Sequence, residues 1–175
     1  MLDLGLEHGL ASVSVDQIAE RAGVSTRTFF NYFDTKEDAA LLQLFTVTEE
    51  ELTAFVGGAA AETWSDLSRV FLDDADVAAE EGADVPRYLQ LQHANAALAG
   101  RQLAVFARFE ARLSTAVTTR LGDDLDAQLR GALMVGCGIT AVRVALNRWV
   151  ATDHAGPVRP HLEEALAVMA PSFAA

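Results

Sequence analysis

The stretch from Ser14 to Lys36 constrains this chain more than any other part of it. It reads as two short amphipathic helices joined by Ala22-Gly23-Val24-Ser25. Ser14 opens the first, with Gln17 three residues on, and this Ser-x-x-Gln spacing is that of a capping box. Val15, Ile18, Ala19 and Ala22 share one face of that helix, the period expected of a half-buried helix. Gly23 supplies the positive-φ corner that stops it, and Ser25 can cap a second helix from Thr26 to about Phe33. Phe29 and Phe33, four apart, are predicted to pack inward with Ile18 and Val24. That leaves Thr26, Arg27, Thr28, Asn31 and Tyr32 facing out, with Ser14 and Ser25 at the two helix starts. This is the grammar of a helix-turn-helix, and the outward residues suit a major groove. Arg reads guanine bidentately, Asn reads adenine, and Thr meets a phosphate or a thymine methyl.

The rest of the chain also reads as helix. Ala and Leu dominate and Pro occurs only four times in 175 residues, and these are the strongest helix formers and the strongest breaker. Leu2 to His8 forms a short first helix with Gly9 as its C′ residue. Asp34-Thr35 breaks the second helix of the motif, and Thr35 with Asp38 caps a long helix to about Phe55. Further helices are predicted over Ala61–Glu81, Val85–Leu98, Arg101–Leu121, Leu125–Ala151 and Arg159–Phe173, punctuated by Gly82, Gly100, Gly122 and Gly156-Pro157. Nothing reads as a strand ladder, so the predicted fold class is all-α.

Function classes narrow in the same way. There is no phosphate loop, no Gly-x-Ser-x-Gly and no His-Glu-x-x-His, and the four His (His8, His93, His154, His161) are scattered. No enzyme, metal site or cofactor is expected from that pattern. The lone Cys137 cannot form an intrachain disulfide, which fits a reducing compartment. The longest apolar run, Gly131 to Val142, is too short to span a bilayer, and the start lacks the make-up of a signal peptide. The expectation is a soluble, cytoplasmic chain. A net charge of −12 argues against nonspecific coating of nucleic acid, though the field that matters for a small reading face is local.

The segment SVDQIAERAGVSTRTFFNYFDTKEDAAL closely resembles the signature of TetR/AcrR regulators, a pattern IA..AGVS..T.Y.YF..KE.L spanning their DNA-binding motif. The likeness covers about residues 2 to 44, and its Tyr32-Phe33 and Lys36-Glu37 ending is not shared by helix-turn-helix motifs in general. The variant RTFFNYF resembles an actinobacterial branch that includes mycofactocin-type regulators, and RQLAVFARFEARL and ITAVRVALNRWV point the same way. The resemblance implies a ligand-responsive regulator, most often a repressor. It would bind a near-palindromic operator in double-stranded DNA as a homodimer and be released by a small hydrophobic effector. It implies that Thr26, Arg27 and Thr28 approach bases or phosphates, that Tyr32 reaches the backbone and that Lys36 pairs with a phosphate. The family pattern has Tyr where Phe30 stands, so one phosphate-reaching hydroxyl is missing. The pattern also places Met1 inside the first helix, beyond a basic arm. Residues 1–45 hold Arg21, Arg27 and Lys36 against seven carboxylates, which predicts weak DNA affinity for a chain starting at Met1. A fold of this family that has lost DNA binding and serves as a protein-interaction partner is the competing reading.

The predicted domains are 1–45, the DNA-binding helix-turn-helix, and 46–175, a helical ligand-binding and dimerisation body. In the latter, Gly131, Ala132, Gly136, Gly138, Ala141 and Ala145 permit close approach of another helix. Leu162, Ala165, Leu166 and Met169 recur at helical spacing. These features fit pairing with a twin subunit and also a buried helix of a monomer. Candidates to line an effector pocket are Trp64, Phe71, Tyr88, His93, Phe106, Phe109, Cys137 and Arg143, each with a plainer reading as core or surface. Arg143, in an apolar stretch, calls for a partner, and Glu110 is the expected one.

Overall fold

The computed structural model describes residues 1–41, 47–80, 85–122, 124–152 and 156–173, with backbone alone at 77–80. Among them are nine α-helices and no strand: α1 Leu2–His8, α2 Val15–Ala22, α3 Thr26–Tyr32, α4 Glu49–Val56, α5 Thr63–Glu80, α6 Val85–Ala94, α7 Ala96–Leu121, α8 Leu125–Ala151 and α9 Arg159–Met169. The packing divides the chain into two units, each built from two separated stretches. One is Met1–Leu42 with Ala83–Val105, and the other is Gln43–Gly82 with Phe106–Ala175. The predicted boundary at residue 45 lies outside the described residues.

The first unit has two apolar clusters. Leu4, Val13, Ile18, Ala19 and Phe29 form one, joined by partly buried Phe33. Leu10, Ala40, Tyr88, Leu91 and Leu98 form the other, which ties α6 and the start of α7 to the N-terminal segment. Gly5 makes the close approach possible, because a Cβ there would sit 3.0 Å from a Leu91 methyl. Val24 is not part of this core. It is 42% exposed, since the residue after the left-handed Gly23 carries its side chain out of the turn.

The second unit buries Leu67, Phe71, Leu113, Val117, Met134, Val135 and Leu162 almost completely. Small residues of α8 set its spacing. A Cβ on Gly131 would meet the Ser114 carbonyl of α7 at 3.3 Å, and one on Gly138 would collide with the Phe71 ring of α5. Gly131, Gly138, Ala141 and Ala145 are therefore used inside the subunit, as are Leu162 and Leu166 of α9. By length and composition alone α8 could cross a bilayer, but here it packs on α5 and α9.

Three helix boundaries differ from the sequence reading. Thr35 and Asp38 do pair, at 2.6 Å, yet they cap only a 3-10 turn, Asp38–Ala40, and Leu41 is extended. α4 starts afresh behind a second capping box, Thr48 with Glu51, so the long helix from Thr35 to Phe55 is not continuous. Nor does Gly100 end a helix. The break falls at Asn95, whose Oδ1 accepts from the Leu98 amide at 3.0 Å, and α7 runs through Gly100. At the C-terminus α9 stops at Met169, and Pro171 leaves only a 3-10 turn, Ala170–Ser172.

Candidate nucleic-acid interface

The motif is built by side chains that satisfy free helix ends. Ser14 Oγ accepts from the Gln17 amide at 3.2 Å, and the Ser14 amide donates to Gln17 Oε1 at 2.8 Å. Gly23 takes φ 69° and ψ 26°, a left-handed conformation that costs a residue with a side chain about 1–2 kcal/mol. It lets the Val24 amide reach back to Ala19 O at 3.0 Å, closing the C-terminus of α2. Ser25 then caps α3, its Oγ accepting from the Thr28 amide at 3.0 Å and lying 2.8 Å from Thr28 Oγ1. Phe29, 5% exposed, fixes the roll of α3, stacking against Phe33 at 5.4 Å.

These bonds sort the candidate residues. The hydroxyls of Ser14, Ser25 and Thr28 serve the helix ends. Thr26 Oγ1 donates to Asp16 Oδ1 at 2.8 Å, a partnership the sequence reading missed. The signal for it was an acidic residue in the first turn of α2. Arg27, Asn31 and Tyr32 are exposed, Tyr32 by 77%, and Phe30 stands out by 53% beside them. Lys36 is half-buried, and its Nζ donates to the carbonyls of Ala11 at 3.0 Å and Val13 at 2.8 Å.

The effector candidates do not converge on one place. In the second unit, Phe71 and Phe109 meet edge to face at 6.0 Å, with half-buried Cys137 beside the Gly138 that approaches Phe71. Trp64 stacks instead on Phe173, at 4.7 Å. Phe106 is half-buried. Tyr88 and His93 belong to the first unit. Tyr88 is buried and donates to Gln102 Oε1 at 2.7 Å, whereas His93 is exposed. Arg143 and Glu110 are both exposed and form no ion pair with each other, because the side of α8 that carries Arg143 faces solvent and no buried charge needs compensation. A groove of about 420 Å³ in the second unit, lined by Glu49, Leu52, Val56, Arg112, Thr115 and Thr119 among others, contains none of the candidates.

Known proteins share both parts of the chain. Residues 3–41 match the family model described as "Bacterial regulatory proteins, tetR family", and residues 61–174 match that described as "MftR C-terminal domain". The "HTH-type transcriptional regulator TcmR" of Streptomyces glaucescens is 29% identical over 155 residues, which cover 85% of this chain and 69% of that protein.

Proposed function

Because this chain belongs to the TetR family of bacterial regulatory proteins, as a transcriptional regulator with a DNA-binding domain, we propose that it is a cytoplasmic, effector-responsive repressor. It reads DNA with residues 1–45 and uses 46–175 for effector binding and dimerisation. The observation that carries the reading is the outer face of α3. Arg27, Asn31 and Tyr32 project without a protein partner among the described residues, while the neighbouring hydroxyls are committed to holding the helix in place. Ser14 and Ser25 support it by holding the starts of α2 and α3.

The homodimer rests on α8. Leu125, Leu129 and Leu133 recur every four residues and are 83%, 59% and 53% exposed, an apolar row that a second copy would cover. A two-fold pair would set two recognition helices roughly 34–36 Å apart, one turn of a near-palindromic operator. Binding of a small hydrophobic effector releases the operator by favouring a form with a different spacing, which requires unequal effector affinity for the two forms. The Phe71–Phe109 pair with Cys137 is the first place to look for it. Trp64, Phe106, Tyr88, His93 and Arg143 are secondary candidates.

Titration of the protein against its own upstream intergenic DNA, with Arg27→Ala and Tyr32→Ala beside the wild type, tests the reading. Sequence-specific binding weakened in both variants is expected. A second reading, a protein-interaction partner without DNA binding, draws on the three cations against seven carboxylates in residues 1–45. Absence of specific binding by the wild type would favour it.

A further inference from the structure

The recognition helix α3 is attached to its unit at three places. Near its start Thr26 donates to Asp16 at 2.8 Å. In its middle Phe29 is buried with Ile18 and Ala19. Beyond its end, Lys36 reaches back across the motif to the carbonyls of Ala11 and Val13, at 3.0 and 2.8 Å. The third attachment spends two of the three N–H donors of an ammonium on main-chain acceptors. Ala11 belongs to the 3-10 turn Leu10–Ser12, and Val13 immediately precedes the Ser14 cap of α2. Carbonyls at the end of such a turn lack helical partners, and a cation there meets the negative end of the aligned peptide dipoles.

We propose that Lys36 is a positioning residue for DNA binding, a clasp that holds the chain leaving α3 to the chain entering α2, and that it is not a phosphate contact. The inference rests on the DNA-binding reading and departs from the phosphate role that the family resemblance implies. Removing the ammonium frees the entry to α2 and with it the Ser14 cap, leaving only the Thr26–Asp16 bond and the Phe29 packing to hold the two helices in relation. Lys36 thereby governs affinity through Ser14 and α2, without adding a charge at the DNA surface.

The test uses the full chain and the upstream DNA over a potassium chloride series, with Lys36→Met, Ser14→Ala and the double variant. Lys36→Met is expected to weaken binding about tenfold at every salt concentration, leaving the slope of log affinity against log salt unchanged. The double variant is expected to bind no more weakly than the poorer single one, because both changes loosen the same element. A slope shallower by about 0.9 for each recognition helix, or losses that multiply, overturns the clasp while leaving the DNA-binding reading intact. A wild type that binds no DNA specifically overturns that reading, and the clasp with it. If Lys36→Met does not fold, the ammonium ¹⁵N resonance of Lys36 in the wild type decides. A signal unchanged on adding DNA supports the clasp, and scalar coupling to phosphorus overturns it.

Discussion

Tyr88 shows how burial alone tunes a single group. Its ring is 2% exposed, and loss of water from around the phenolate pushes its pKa up from 10.0 to about 12. A folded-state pKa above the unfolded one favours the fold below pH 10.0, and that contribution falls away as pH rises towards about 12. Tyrosinate absorbance from Tyr88 is therefore expected only near the upper value in folded protein. Its appearance near 10 without unfolding would contradict the burial. Gly138 is a second single-atom constraint. A methyl group there would enter the space of the Phe71 ring, so Gly138→Ala is expected to cost about 1–3 kcal/mol, read as a drop in the urea midpoint. An unchanged midpoint would mean that α5 and α8 can part freely.

Among the elements, the local caps of the motif were legible in the sequence. The Thr48–Glu51 box that starts α4 reads instead as the interior of a longer helix, and the start of α9 at Arg159 is legible although no side chain caps it. Ser14 with Gln17, Gly23, and Ser25 act over three or four residues, so their spacing gives both the helices and the turn. Asn95 carries the same capping chemistry, but Gly100 competes with it as a stop signal, and only packing of Leu98 in the core decides between them. The exposure of Arg27, Asn31 and Tyr32 on α3 could be read from period, but that of Phe30 beside them and the half-burial of Thr26 and Thr28 could not. The commitment of Lys36 and Thr26 to partners in the fold could not, because those partners lie 23–25 and 10 positions away. The C-terminus of α4 shows another long-range device. Arg120, its side chain fully buried, donates to the carbonyls of Phe55 at 3.0 Å and Ala59 at 2.8 Å, and to Asp66 at 2.5 Å. Its guanidinium also lies over the Phe55 ring at 4.7 Å. Arg120→Ala leaves those acceptors unpaired and is expected to cost about 3–5 kcal/mol. The hydrogen bond from Arg120 also holds the Asp66 carboxyl below its ordinary 3.8. A lowered folded-state pKa stabilises above the ordinary value and is lost as pH falls below it. Wild type is thus expected to lose stability more steeply than Arg120→Ala in acid melts below pH 3.8. Parallel curves would remove the ion pair from the account.

For the whole molecule, the exposed leucine row of α8 gives the plainest test of assembly. Leu129 is 59% exposed and lies outside the buried core, so Leu129→Glu is expected to change the stability of one chain by no more than about 0.5 kcal/mol. On the homodimer proposed above, the wild type is expected to sediment as a dimer and Leu129→Glu as a monomer. A variant that sediments as the wild type does would move the interface elsewhere. The two-part make-up of the first unit has a consequence for synthesis. Leu10 and Ala40 find their core partners in Tyr88, Leu91 and Leu98, so the reading head is not finished when the ribosome has made its motif. It must wait, half-covered, until the start of α7 emerges, and a gene fragment ending after residue 45 would encode a motif without its floor.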